Sequence, residues 1–191
     1  TGTFTFTPAT GLAVTSSNVS VSSGSATRLI ITGASTEIAG VAQTITITAK
    51  DANGNIVTSF TGDKTLVFSG ASLSPNGNFT ASATNKTAVA TNFGTNTVVT
   101  FNNGVASSSL VLYAAETANV AASTAGITAS SGSDRLAVTV STGTFSQLTV
   151  SLAASQSNAI AWTGTNTLTA KDAYGNIVTT FNAASNVITV S

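Results

Sequence analysis

The chain is 191 residues long, with six basic and six acidic side chains, a formal net charge of zero, and no His, Cys or Met. Without His or Cys there is no imidazole base, no thiol nucleophile, no zinc site of the usual kind and no disulfide framework, and so balanced a charge offers no track for a nucleic-acid backbone. Only 6% of the residues are charged, against roughly 25% in an ordinary soluble domain, while 42% are hydrophobic and arrive in alternating β-branched runs that read as folded strands rather than a disordered polar tract.

Taken in order, residues 1–27 open on Thr3-Phe-Thr-Phe-Thr7, a period-two alternation stopped by Pro8, and run through Val14 and Val19-Ser-Val21 to a Ser/Gly loop. Ser23-Gly-Ser-Ala-Thr-Arg-Leu29 aligns with Ser131-Gly-Ser-Asp-Arg-Leu136 when one residue is gapped, which sets Arg28 and Arg135 107 residues apart. That is the size of one sandwich domain. Residues 1–27 are therefore expected to be the last strands of a preceding domain, and residues 28–134 a complete one. Within it, Leu29-Ile-Ile31 opens, Ile45, Ile47 and Ala49 alternate with threonines, and Leu66-Val-Phe68 forms a strand. Pro75-Asn-Gly77 marks a turn, and residues 79–96 read as edge strand or long loop. Thr97-Val-Val-Thr-Phe101 and Ser108-Ser-Leu-Val-Leu-Tyr113 form an expected hairpin across Asn102-Asn-Gly104. Val120-Ala-Ala122 and Ile127-Thr-Ala129 finish the domain, and no run of twelve residues reads as a helix.

From 135 to 191 a further domain is expected, with fourteen extra residues in the region 142–164, as an added strand pair or a loop. It includes Leu148-Thr-Val-Ser-Leu152, Ala159-Ile-Ala-Trp162 and a last strand at Val187-Ile-Thr-Val-Ser191. The start at Thr1, without Met or a cationic leader, reads as a processed or excerpted piece. No apolar stretch approaches the ~20 residues needed to span a bilayer.

The central signal is a block that occurs twice. Thr48-Ala-Lys-Asp-Ala-Asn-Gly-Asn-Ile-Val-Thr-Ser-Phe60 recurs as Thr169-Ala-Lys-Asp-Ala-Tyr-Gly-Asn-Ile-Val-Thr-Thr-Phe181, 121 residues on and different at only two positions. Such self-similarity marks an array. In each copy an Asp at the start of a turn accepts backbone N–H groups, a Gly takes up positive φ, and a second strand is expected to begin at Ile56-Val57 and at Ile177-Val178. The turn residues are thus Asp51, Gly54 and Asn55, and Asp172, Gly175 and Asn176.

This block, with Phe60-Thr-Gly62, the strand 97–101 before Asn103-Gly-Val105 and an Ala-rich final strand, resembles the bacterial immunoglobulin-like domains of the invasin and intimin type. Those domains occur in tandem in surface adhesins and in cell-wall or surface-layer proteins. The resemblance covers one full copy, 28–134, and partial copies on each side. It implies an all-β chain of immunoglobulin-like β-sandwich repeats, located outside the cell at its surface. With the missing catalytic side chains and the low charge, it implies a non-enzymatic module of a bacterial or archaeal surface layer, fibre or adhesin stalk, acting by tandem or head-to-tail packing. Its partners would be neighbouring domains of the same long chain or further copies of itself, with no nucleic acid and no membrane span. Two other readings stay open: a carbohydrate- or host-binding adhesin module, and accessory domains of a large secreted enzyme.

Each candidate site has a plainer counterpart. Asp51, Asn53, Asn55 and Asp172 have the oxygens of a weak calcium site, with Glu37, Asp63 or Glu116 to complete it at a junction, or else they close hairpin turns; no other cofactor is implied. Lys50 and Lys171 suggest isopeptide bonds, but the alternation points Lys50 to the solvent face. Asn18, Asn78 and Asn85 head N-glycosylation sequences. Trp162, Tyr113 and Tyr174 are aromatics for a ligand cleft or for packing. Phe4 and Phe6 are set to fill the core of a neighbouring copy's last partial sandwich, beside Leu168, Ala170 and Ile188, if the chain assembles by strand exchange. The competing reading is a segment of a long tandem protein.

Overall fold

A computed structural model describes residues 2–11, 13–155, 157–158, 160–161 and 164–182. Trp162, Ile188 and the strand expected at 187–191 lie outside the described residues. The strands in chain order are β1 (Thr5–Phe6), β2 (Val14–Thr15), β3 (Arg28–Thr32), β4 (Thr36–Ile38), β5 (Ala42–Lys50), β6 (Gly62–Ser69) and β7 (Ser82–Thr84). They continue as β8 (Ala90–Asn92), β9 (Asn96–Phe101), β10 (Val105–Val111), β11 (Thr117–Ser123), β12 (Leu136–Ser141), β13 (Phe145–Ser151) and β14 (Thr167–Asp172). A single 3-10 turn at Gly132–Asp134 is the one helical element among the described residues.

The alternation decides which side chains go inside. Along β5, Ile45, Ile47 and Ala49 are fully buried while Thr44, Thr46, Thr48 and Lys50 take the other face. Leu66 and Phe68 on β6, Val99 and Phe101 on β9, Leu110 on β10, Val120 on β11 and Val138 on β12 meet them from the two sheets. Each such Leu, Ile or Phe contributes about 1.5–3 kcal/mol when fully buried. With no cysteine in the chain to form a disulfide, this cluster between Leu29 and Val140 is the main source of cohesion among the described residues.

Two five-stranded sheets enclose that core, in the orders β3-β5-β10-β7-β8 and β4-β12-β11-β6-β9. The pairings are antiparallel except for β4 with β12, which run parallel. The first strand thus changes sheets: β3 pairs with β5 in one, and after residues 33–35 β4 joins the last strand in the other. This is an immunoglobulin-like β-sandwich.

Three features depart from the sequence-based expectations. The turn at Asn103 (φ 48°) and Gly104 (φ 83°) forms, with Asn102 and Val105 bonded across it, but β9 and β10 then leave for opposite sheets, so the expected hairpin is an arch. Gly104 is the reason: its N–H donates to the Phe60 carbonyl and its carbonyl accepts from Ala49 N–H, drawing the turn across the end of the sandwich. Similarly, the strand expected at Ile56-Val57 amounts to one bridge, Lys50 to Ile56, before the chain crosses to β6.

The third departure concerns the repeat. Strand β13 faces β14 as β3 faces β5: Leu148 lies opposite Ala170 and Val150 opposite Leu168, as Leu29 lies opposite Ala49 and Ile31 opposite Ile47. Leu29 and Leu148 are 119 residues apart, so Arg28 corresponds to Gln147 and not to Arg135. At the same spacing Val19-Ser-Val-Ser-Ser-Gly24 matches Val138-Thr-Val-Ser-Thr-Gly143. The fourteen-residue excess is therefore two residues, and residues 136–141, expected in the following domain, form the last strand of this one, with Leu136, Val138 and Val140 in its core. Short Ser/Gly/Thr words recur easily in such a sequence, and they misplaced the alignment that pairing register resolves.

Candidate functional site

Both copies of the repeated block build the same turn. Asp51 Oδ1 accepts the backbone N–H groups of Asn53 (3.0 Å) and Asn55 (2.8 Å), and Oδ2 accepts the Asn55 side-chain amide and the backbone N–H of Gly24, each at 3.0 Å. Asp172 repeats every bond: Tyr174 N–H and Asn176 N–H at 2.9 Å on Oδ1, the Asn176 amide at 2.8 Å and Gly143 N–H at 2.9 Å on Oδ2. The glycines take the positive φ that lets the chain fold back on the carboxylate, 85° at Gly54 and 89° at Gly175. Each aspartate thus ties its turn to the linker glycine that precedes the unit's first strand.

This donor set holds the charged form. The Asn55 amide, then the Gly24 N–H, outweigh burial and bring Asp51 down to about 2. At Asp172 burial pushes upward, but the bonds from Asn176, Gly143 and Tyr174 outweigh it and the carboxyl also lies below its ordinary value. A calcium ion requires converging oxygens. Here four N–H groups converge on each carboxylate, in the space a cation would take, so the calcium reading gives way to a turn that binds its own backbone.

The two turns differ in what lies on top of them. On the second, Asn76 donates its backbone N–H to the Tyr174 carbonyl (3.1 Å) and its side-chain amide to the Ala173 carbonyl (3.1 Å). Asn176 accepts the N–H of Ala115 on Oδ1 and donates to the Tyr113 carbonyl, both at 2.8 Å. The ring of Tyr174 sits 5.0 Å from Tyr113 and 5.1 Å, edge to face, from Phe79, and those two are 5.2 Å apart. A Cβ on Gly40 would overlap the Tyr174 ring. Hence residues 172–176 of the second unit are seated on three loops of the first: 39–41, 74–79 and 113–115. Glu37 braces that end: its carboxylate accepts Leu112 N–H (3.0 Å) and the Gln43 amide (2.6 Å), and burial raises its pKa.

The remaining acids are also engaged. Asp134 forms a two-bond fork with Arg28 (2.8 and 2.9 Å), Glu116 accepts from the backbone and hydroxyl of Ser72, and Asp63 from Lys86 and Thr100. Glu37, Asp63 and Glu116 are not brought to either turn, and no group of three or more metal-binding side chains occurs among the described residues. Lys50 and Lys171 are half-buried on the face opposite Ala49 and Ala170. Asn18 and Asn78 are exposed, whereas Asn85 folds its side chain onto the backbone of Thr87 and Val89. Phe4 and Phe6 stand 72% and 71% exposed on the small β1–β2 sheet.

Gly24, Gly143, Asn76, Phe79 and Gly40 also build this site, and no local pattern in the sequence marks them as its members. One signal pointed to it: in a block repeated almost verbatim, Asn53 becomes Tyr174, the residue that plugs the joint.

No known protein family matches this sequence, and no curated protein does. Among solved structures, the chain is similar to FdeC, described as a broadly conserved Escherichia coli adhesin, with 22% identity over 88% of this chain and 47% of that one, at a TM-score of 0.46. It spans about half of that adhesin's length. A Bacteroides vulgatus β-glycosidase matches 62% of the chain over 14% of its own, at 11% identity and a TM-score of 0.42. Domains 4–9 of the surface layer protein SbsC match 87% of the chain over 22% of theirs, at 15% identity and a TM-score of 0.36.

Proposed function

We propose that this chain is a non-enzymatic structural module of a cell surface, a run of immunoglobulin-like units stacked end to end in a surface layer, fibre or adhesin stalk. Each unit occupies about 119 residues, from the linker glycine at 24 to residue 142. The observation that carries the reading is the seating of the second turn on the first unit through Tyr174, Asn176 and Asn76. A joint that bonds main chain on both sides and is plugged by a ring holds successive units at one angle, and that is what an array needs in order to space or bear load. The composition agrees: near-absence of charge is a liability for a free monomer but costs little where surfaces are packed against neighbours. Tyr113 and Tyr174 are used in the joint, which favours structure over a ligand cleft. The partners are neighbouring units of the same kind.

The test is protease shaving of intact cells of the native source. Release of fragments of this protein into the medium before any cytoplasmic marker appears is the expected result. Cleavage only after lysis would overturn the surface assignment.

A further inference from the structure

The first turn, residues 51–56, is built like the second but is bare. Asn53 and Asn55 are exposed, and a Cβ on Gly54 would meet nothing within 4 Å, whereas one on Gly175 would lie 2.8 Å from the Asn76 nitrogen. The groups that make the second turn a docking surface are nevertheless retained. Asn55 is pinned by its amide to Asp51 as Asn176 is to Asp172, so its carbonyl oxygen and second amide hydrogen project from the turn in the same way. At Asn176 those two groups take the Ala115 N–H and the Tyr113 carbonyl. The preceding strands also lie on the appropriate side: residues 19–24 match 138–143, and Gly24 is bonded to Asp51 as Gly143 is to Asp172.

We infer that the turn at 51–56 is a docking site for the loop end of another unit of this kind, gripped through the Asn55 amide as Asn176 grips residues 113–115, and without the ring that Tyr174 adds. The partner is the neighbouring unit whose last strand corresponds to residues 17–22, and its contacting surface has the chemistry of residues 74–79 and 113–115: main-chain donors and acceptors and a loop amide. With Asn in place of Tyr at position 53, this joint is the looser of the two. The inference rests on reading the contact at Tyr174 as a joint between units.

The test uses a chain in which residues 24–142 are placed ahead of residues 24–191, giving two complete units, each with its own core. NMR measures exchange of the side-chain amide hydrogens of Asn55 in the second complete unit and of Asn176 in the same sample. Docking predicts that this Asn55 amide exchanges at least about tenfold more slowly than in the 191-residue chain, while Asn176 is protected in both. Protected Asn176 with unchanged Asn55 overturns this inference and leaves the joint at Tyr174 standing. Unprotected Asn176 removes the joint itself. Protection of Asn55 that rises with concentration in the 191-residue chain would mean that a separate copy, not the adjoining unit, is the partner, and would also overturn it.

Discussion

Replacing Tyr174 by Ala removes the ring between Tyr113 and Phe79 while leaving the backbone bonds of the turn in place. Truncating a fully buried aromatic side chain costs about 3–5 kcal/mol. Tyr174 is half-buried, and each of its two ring contacts is worth about 0.5–1.5 kcal/mol, so a loss of about 2 kcal/mol is expected. That corresponds to about a thirtyfold shift in the equilibrium between seated and open joint. The cost falls on the joint because Tyr174 lies at the margin of the core cluster. Hydrogen exchange reads it directly: the N–H groups of Asn76 and Ala115 are bonded to the Tyr174 carbonyl and to Asn176 Oδ1, so opening the joint frees both. In Tyr174→Ala these two amides should exchange about thirtyfold faster while those of the β5–β10 ladder hold their rates. Tyr174→Phe, which keeps the ring, should stay within about threefold of the parent. Unchanged exchange at Asn76 and Ala115, or an equal acceleration across the ladder, would refute the reasoning.

Gly40→Ala forces a Cβ into the Tyr174 ring and strains a residue at φ 80°, so it should open the joint in the parent, yet cost only the backbone strain of about 1–2 kcal/mol in a Tyr174→Ala background; a double-mutant cycle on the Asn76 amide measures the difference. Because Asp51 and Asp172 have depressed pKa values, the stability they contribute is present above the ordinary carboxyl range and is lost as pH falls, for Asp51 toward about 2; the urea midpoint of the parent should drop between pH 4 and pH 2, and that of Asp51→Asn should drop less. Glu37 acts in the opposite sense, its raised pKa favouring the folded state at low pH and losing that contribution as pH rises, so Glu37→Gln should flatten the pH dependence just above the ordinary carboxyl range. Phe68→Ala, in the middle of the core, should cost about 3–5 kcal/mol of the whole unit's stability, lowering the urea midpoint for every probe together.

What the sequence determines here is what depends on neighbours a few residues away. The two-residue period of Ile45, Ile47 and Ala49 against Thr44, Thr46 and Thr48 is a property of a single strand, and it assigns the buried face before any partner is known. Asp-x-x-Gly-Asn is likewise local, since the carboxylate reaches N–H groups two and four residues on. The all-β class, the sandwich and the presence of a repeat all follow from such patterns. Which strand lies beside which is a different kind of fact. Residues 97–101 and 105–111 look like the arms of one hairpin, yet Gly104 is drawn across the end of the sandwich by Phe60 and Ala49, and the arms belong to opposite sheets. Residues 136–141 look like a beginning, and their pairing with β11 on one side and β4 on the other makes them an end. Tyr174 is merely one of two substitutions in the repeat until the fold brings Phe79, Tyr113 and Gly40 around it from three separate loops. Those contacts join residues about 60 to 135 positions apart, and no local pattern encodes them: they are selected by the burial and hydrogen bonding of the folded whole.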